Sequence, residues 1–161
     1  MILGTTEETA LEGLLVVEAA AEVASAVRLA LARIGPGAVL LRCCGLAPAA
    51  LACGLAAAGF QRGQHLAIIG ENRPRLYWAL GAAQALGGIP VPFYQDAVAT
   101  EMVYVFNNAE IAFAIVEDQE QADKLFEILP QCPKLKLIVY DDPRGLRHYT
   151  RAELSSYDSL R

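Results

Sequence analysis

Short apolar runs alternate with longer stretches of helical spacing between about residues 47 and 140. Apolar and β-branched runs predict strands, and longer stretches with helical periodicity predict helices. The predicted strands are HLAIIG, IPVPFY, IAFAIVED and KLIVY, at 65–70, 89–94, 111–118 and 136–140. The predicted helices are APAALACGLAAAGF, RPRLYWALGAAQALGG, TEMVYVFNNAE and QEQADKLFEIL, at 47–60, 73–88, 100–110 and 119–129. This alternation is typical of βαβ units and predicts an α/β fold: a mostly parallel sheet with helices on both faces.

Local sequence predicts where several helices begin and end. Gly59 closes the first of these helices, and Asn72 is well placed as the N-cap of the second. Pro74 falls in the first turn of that helix, where its missing N–H costs nothing. Gly87 and Gly88 predict the helix end and the sharp return to the next strand, since glycine reaches positive φ without penalty.

Two further patterns concern the boundaries of the sheet. Pro90 and Pro92 make IPVPFY an edge strand or a partly irregular one. The polar tail LRHYTRAELSSYDSLR, at 146–161, is typical of a linker. KLIVY is therefore predicted to be the last strand.

The segment TTEETALEGLLVVEAAAEVASAVRLALARIGPG, at 5–37, predicts a helix that starts at a Thr5/Glu8 capping box and stops at Gly35. The tripeptide Gly4-Thr5-Thr6 is similar to a phosphate-gripping loop, but no strand precedes it and no lysine lies nearby. It is interpreted as a helix cap. The predicted domain organisation is an N-terminal helix and linker at 1–46, then an α/β domain at 47–161.

Composition narrows the class of protein. The 161 residues are 55% hydrophobic and 19% charged, with a net charge of −5. No apolar run approaches the roughly 20 residues that span a bilayer, so no transmembrane segment is predicted. The net negative charge and the lack of a Lys/Arg cluster argue against nucleic acid as a partner. A cytoplasmic location is expected, with peripheral membrane contact left open.

The nucleophilic and metal-ligating residue types form no recognisable constellation. Cys43, Cys44, Cys53 and Cys132 lack C-x-x-C pairing and nearby histidines, so a zinc site is not expected. Packing of small apolar thiols is the favoured interpretation, with a Cys43 or Cys44 nucleophile as the alternative. His65 and His148 lack the carboxylate or serine partners of a general base.

The turn Gly70-Glu71-Asn72-Arg73-Pro74 follows a strand and precedes a helix, the geometry that often binds phosphate. A dinucleotide fingerprint needs three glycines, and this turn has one. Glu71 places a negative charge where phosphate would sit, and Pro74 removes a donor. A structural turn is the favoured interpretation. Tyr77 and Trp78, on the following helix, are expected to pack it against the sheet more than to line a ligand tunnel.

Three segments together resemble AMP-forming long-chain fatty acid–CoA ligases of the adenylate-forming superfamily. They are GLAAAGFQRGQHLAIIGENRPRLYWALGAAQALGGIPVPFYQDA, NNAEIAFAIVEDQEQADKL and PKLKLIVYDDPRGL, within about residues 50–158. The resemblance includes the superfamily's Gly-Gly-x-x-x-Pro pattern at Gly87, Gly88 and Pro92, followed by Tyr94 and Asp96. It implies an incomplete part of the larger N-terminal domain of such an enzyme.

The resemblance also implies a reaction. Enzymes of that family combine ATP and a fatty acid into an acyl-adenylate, and coenzyme A then takes the acyl group. Their phosphate-gripping loop with lysine, their magnesium (Mg) and adenine ligands, and their C-terminal lysine have no counterpart in this sequence. At the N-terminal side, residues 38–44 replace the Thr/Ser-aromatic element usual in the family, and residues 1–45 resemble nothing recognised.

Two hypotheses follow. The first is the N-terminal portion of a long-chain acyl-CoA synthetase, inactive alone, whose partner is the remainder of the ligase chain or a complementing subunit. The second is a stand-alone acyl-binding or assembly module without catalysis. Under either hypothesis we expect this chain to contain no catalytic, cofactor-binding or metal-binding residues of its own. ATP, Mg and coenzyme A are implied only for the full-length family.

Overall fold

The computed structural model describes residues 46–160. Five parallel strands form one sheet in the order β2-β1-β3-β4-β5. The strands are β1 His65–Ile69, β2 Ile89–Phe93, β3 Phe113–Val116, β4 Leu137–Tyr140 and β5 Leu154–Ser156. The helices are α1 Leu46–Ala57, α2 Pro74–Ala85, α3 Ala99–Asn108, α4 Gln119–Ile128 and α5 Tyr157–Leu160, with a 3-10 turn at Leu129–Gln131. The predicted α/β class is confirmed.

Helices cover both faces of the sheet, as the alternation predicts. Leu66 and Ile68 of β1 belong to one buried cluster, together with side chains of α1, α2 and α5. Ala67 and Ile69, which point to the opposite face, belong to a second cluster with α3 and α4. The central strands are buried on both sides, which explains why they are apolar without interruption.

The end of α2 confirms the prediction made from the glycine pair. Gly87, at φ +70°, donates its N–H to the carbonyl of Gln84, and Gly88 donates to the carbonyl of Ala83. These two bonds form a Schellman motif. A Cβ on Gly88 would lie 2.5 Å from the ring of Phe60. Gly88 therefore provides both the turn and the space for a core aromatic side chain.

The tail was predicted to be a linker, and that prediction is wrong. Leu154 pairs with Ile138, so β5 extends the sheet beyond β4, and α5 follows it. Tyr157 is fully buried in the cluster beneath α1 and α2. The strand is only three residues long and two of them are serines, so it lacks the apolar run on which the prediction depended.

A close helix contact fixes this tail. An ideal Cβ on Gly54 of α1 would lie 1.4 Å from the carbonyl oxygen of Leu160 in α5. Gly54 therefore lets the backbone of α5 approach α1. Gly59, predicted to close α1, has positive φ just after that helix, and α3 ends at Asn108, within the Asn107-Asn108 pair where the sequence predicts its end.

Two sequence predictions lie outside the described residues: the helix predicted at 5–37 with its Gly4-Thr5-Thr6 cap, and the environment of Cys43 and Cys44. Among the helices that the structure does describe, none has the length and apolar character needed to cross a membrane.

Candidate functional site

The carboxyl ends of β1 and β3 meet at the point where the chain changes direction across the sheet. From β1 the chain passes through α2 to β2 on one side, and then returns through α3 to β3 on the other side. Ligands of open α/β sheets usually bind outside the strand ends at such a switch point. The residues that follow β1 and β3 are Gly70 and Glu117.

Glu117 fills this crevice with its own carboxylate. Its Oε2 accepts the backbone N–H of Glu71 at 2.6 Å, and its Oε1 accepts Nε of Arg73 at 2.8 Å. The Glu117 side chain is 12% exposed. A Cβ on Gly70, which has φ +150°, would lie 2.6 Å from Glu117 Cβ and 2.8 Å from Leu76 Cδ1. The anion that this turn binds is therefore the carboxylate of Glu117.

The start of α2 differs from the sequence prediction. Arg73, with extended backbone, occupies the N-cap and makes no side-chain capping bond, and Pro74 follows in the first turn as predicted. The prediction that Asn72 is the cap is wrong. Its Oδ1 instead accepts a hydrogen bond from the Tyr77 hydroxyl at 3.0 Å. Asn72 lies one residue too early, because Glu71 and Arg73 turn toward Glu117.

A second ionic cluster lies farther along the same edge. Arg75 bonds Asp141 at 2.9 Å and Asp158 at 3.2 Å, and its guanidinium lies 5.1 Å from the centre of the Tyr157 ring. Burial lowers the pKa of Arg75, but the two carboxylates outweigh it and the net shift is upward. This cluster ties α2 to β4 and α5.

The turn after β4 has its own ion pair. Arg144 donates its backbone N–H to Asp142 Oδ1 at 3.0 Å and its Nε to Oδ2 at 2.7 Å. These hydrogen bonds hold the pKa of the Asp142 carboxyl below its usual value. Both charges are therefore already compensated within the turn.

An open cleft of about 780 Å³ lies between α2 and the carboxyl ends of β1 and β2. We name it the α2–β2 cleft. Its walls are mainly apolar and aromatic, and its polar lining side chains are Glu71, Asn72, Gln95 and Asp96. Tyr77 is 55% exposed and Tyr94 is 89% exposed. Tyr77 was expected to pack against the sheet and instead lines this cleft, whereas Trp78 is half-buried.

The residues of the Gly-Gly-x-x-x-Pro pattern fall at opposite ends of β2. Gly87 and Gly88 precede the strand and shape its entry. Pro92, Tyr94 and Asp96 lie at its far end and line the α2–β2 cleft. Three of these five residues therefore lie at the carboxyl edge, where binding residues of such folds collect.

The thiols and histidines that the structure describes are those of Cys53, Cys132, His65 and His148. Burial raises the pKa of the Cys53 and Cys132 thiols, which makes both less nucleophilic at neutral pH. His65 opens β1, and His148 is exposed in the tail. Within residues 46–160, no group of three or more His, Cys, Asp or Glu side chains could hold a metal ion.

Within residues 46–160, the turn between β1 and α2 does not fit the triphosphate and magnesium of an ATP site. In this strand–helix turn, the Glu71 N–H and the Arg73 guanidinium donate their hydrogen bonds to the Glu117 carboxylate and are not free to bind phosphate. Sequence reasoning missed Glu117 entirely. The signal in the sequence is an acidic residue directly after a fully apolar strand, which is the same position relative to its strand that Gly70 has after β1.

Comparison with known proteins agrees with this architecture. The family model of AMP-binding enzymes matches residues 47–159. In structure, the chain is similar to acetoacetyl-CoA synthetase from Streptomyces lividans, with a TM-score of 0.62 and 21% identity over 71% of this chain and 19% of that one. This likeness shows a shared fold.

Two curated relatives are similar in sequence. The 4-hydroxybutyrate–CoA ligase 2 of Metallosphaera sedula is 31% identical over 85 residues, which are 53% of this chain and 15% of the relative. The long-chain-fatty-acid–CoA ligase ACSBG1 of Rattus norvegicus is 26% identical over 100 residues, which are 60% of this chain and 14% of the relative. The matches thus span about one seventh of these relatives. Acyl-CoA ligases of several kinds are therefore homologous to this chain.

Proposed function

The chain belongs to the AMP-binding enzyme family, and from that premise we propose that it forms a structural α/β part of an acyl-CoA ligase. The complete enzyme would join ATP and an acyl substrate into an acyl-adenylate and then transfer the acyl group to coenzyme A. Residues 47–161 would be part of its N-terminal domain. Residues 1–46 would precede that domain as a separate helix and linker.

The observation that carries the proposal is the family match over residues 47–159, which include nearly all of the described residues. The Glu117 contacts support a scaffolding role, because the donors of the switch-point turn are committed to a protein carboxylate. A reacting phosphate would have to displace a bonded, buried group of like charge, which is costly. Adenylation therefore requires the remainder of the ligase chain or a complementing subunit.

The finer part of the proposal concerns the substrate. We propose long-chain fatty acids, supported by the resemblance of the segments around β1 and β2 and by the similarity to the rat ligase. The 4-hydroxybutyrate and acetoacetyl ligases have short, polar substrates in their names. Short acyl acids are thus the competing substrate class.

The test is ATP–pyrophosphate exchange with the purified chain and a long-chain fatty acid. We expect exchange indistinguishable from a buffer control, with an intact long-chain ligase as the positive control. If the chain alone exchanges pyrophosphate in a fatty-acid-dependent manner, the scaffolding role is wrong. Repeating the assay with short acyl acids checks that a negative result does not reflect the choice of substrate.

The apolar walls of the α2–β2 cleft favour a second candidate function, an acyl-binding module without catalysis, whereas its acidic rim opposes it. Its apolar walls suit an acyl chain, but its rim carries Glu71 and Asp96. Arg73 is shared between Glu71 and Glu117, so one carboxylate of this group stays uncompensated. Such a rim repels a fatty-acid carboxylate. Titration with a fluorescent fatty acid tests this: saturable micromolar binding, lost in Tyr94→Ala, would favour the module over the scaffold.

A further inference from the structure

The β2 edge, defined as the outer side of Ile89–Phe93, has an unusual hydrogen-bonding character. Ile89 donates its N–H to the carbonyl of Gln64, so its backbone groups face β1. In a strand the backbone direction alternates residue by residue. Val91 and Phe93 therefore also face β1, and Pro90 and Pro92 face outward. Both outward positions of the strand lack an N–H.

A strand can join a sheet edge only by exchanging donors and acceptors along it. The β2 edge presents the carbonyls of Pro90 and Pro92 but no N–H between them, so an incoming strand would leave its own carbonyls unsatisfied there. Proline at such positions is a known means of preventing edge-to-edge association. The sheet is thus closed to strand addition at β2.

Side-chain surfaces flank this closed edge on both sides. The α2–β2 cleft lies on one face, and a smaller groove of about 250 Å³, here the β2–α3 groove, lies on the other. Pro92, Phe93 and Tyr94 line both. Tyr94, at 89% exposure, stands between them. Exposed aromatic side chains next to apolar grooves are typical of docking surfaces.

The charge of these surfaces identifies the occupant. Their acidic lining residues are Glu71, Asp96 and Glu101, and no Lys, Arg or His belongs to either lining. Arg73 lies 3.4 Å from Glu71 and compensates part of its charge, so the acidic character lies mainly at Asp96 and Glu101. Lys124 reaches the carbonyl of Gln95, but its ammonium also bonds Glu120 at 2.9 Å. A second copy would bring the same acidic rim and a net charge of −5, which opposes self-association. The complementary occupant is apolar and basic.

We propose that the β2 edge docks an amphipathic helix with lysine or arginine beside its apolar face, and does not accept a strand. A helix satisfies its own backbone, so the missing donors of Pro90 and Pro92 cost it nothing. Its apolar face packs on Tyr94 and the two grooves, and its cations face Asp96 and Glu101. The inference depends on the edge and its charges and is independent of the acyl-CoA ligase proposal.

The first test measures binding of a synthetic helical peptide with a leucine face flanked by lysines, labelled for fluorescence anisotropy. The full chain should bind it, and should bind the same peptide with glutamates in place of lysines about tenfold more weakly. Tyr94→Ala should weaken binding about tenfold. The matched control is Tyr104→Ala, since Tyr104 is 75% exposed but lines neither groove.

Charge position is tested in the same assay. Asp96→Lys and Glu127→Lys change the net charge equally, but Glu127 is an exposed residue of α4 outside both grooves. Only Asp96→Lys should weaken binding severalfold. Equal effects of the two lysine variants, or of the two tyrosine variants, would mean nonspecific attraction and would overturn the proposal.

The second test concerns the strand. An extended peptide of alternating valine and threonine should not bind the native chain, and it should bind Pro90→Val/Pro92→Val, which restores both outward N–H donors. Circular dichroism checks that this variant keeps its fold. Binding of the extended peptide to the native chain, with exchange protection gained by the peptide's own amides, would overturn the proposal whatever the variant does. A folded variant that still rejects the peptide would also contradict it.

Discussion

Two strand–turn–helix units, β1–α2 and β3–α4, lie side by side in the fold. The turn between strand and helix is stabilised differently in each unit. The unit β3–α4 is local: Asp118 is the N-cap, and its Oδ1 accepts the Gln121 N–H at 3.2 Å. In β1–α2 the strand ends at Ile69 and the helix begins at Pro74, with no side-chain cap. Its turn is held by Glu117, 46 residues from Glu71 along the chain.

The difference shows how the two units depend on each other. Gly70 and Glu117 occupy the same position, the first residue after a parallel strand, on neighbouring strands. Gly70 has no side chain, and Glu117 places its carboxylate in the space that this leaves. The local cap of α4 stabilises one helix, whereas the long-range contact joins two units across the switch point and places a protein carboxylate there.

The largest expected effect comes from closing that space. Gly70→Ala would force a Cβ against Glu117 and Leu76 at a backbone φ of +150°, and we expect it to lower the free energy of unfolding by about 3 kcal/mol. Urea denaturation followed by circular dichroism measures this loss.

The matched control is Gly59→Ala. Gly59 also has positive φ, at +95°, but a Cβ there would meet nothing within 4 Å. It should cost about 1 to 2 kcal/mol from backbone strain alone. Equal losses in the two variants would show that Glu117 gives way easily and that the contact between the units is loose.

A smaller effect is expected from removing the carboxylate itself. Glu117→Ala leaves the Glu71 N–H without its acceptor and the Arg73 guanidinium with only the Glu71 carboxylate, and should destabilise the fold by about 2 kcal/mol. Glu117→Gln keeps one acceptor oxygen and should cost about half as much. Because Arg73 is half-exposed, Arg73→Met should cost less than either. A double-mutant cycle between positions 73 and 117 with no coupling would contradict the contact.

The same comparison explains what the sequence could predict. The strands and helices from α1 to β4 have long apolar or helical runs, so their positions were predictable. The Gly87-Gly88 return was also predictable, because positive φ is a property of the residue itself. The Glu117 contact was not, because it joins residues 46 apart that only the sheet order brings together.

The errors at Asn72 and in the tail have the same origin. Asn72 has the right side chain for a cap, but the long-range contact moves the N-cap to Arg73. The tail has little apolar periodicity, and its order depends on tertiary contacts, the burial of Tyr157 and the approach of Leu160 to Gly54. Tertiary contacts override local propensity in both places.

The smallest expected effects concern Asp118, which caps α4, and Asn72, which was predicted to cap α2 and does not. Asp118→Ala removes a capping bond that the structure contains, and should lower the free energy of unfolding by about 1 kcal/mol. Asn72→Ala removes only an exposed bond to the Tyr77 hydroxyl, so it should change stability by less than about 0.5 kcal/mol. Asp118→Asn keeps a capping oxygen, so this variant should retain most of the stability of the native chain. Both helices pack on the same five-stranded sheet, so urea midpoints of the three variants can be compared with the native chain. If Asn72→Ala costs as much as Asp118→Ala while Asp118→Asn remains native-like, then Asn72 caps α2 in solution, and the contrast between a locally capped unit and a remotely held one is wrong.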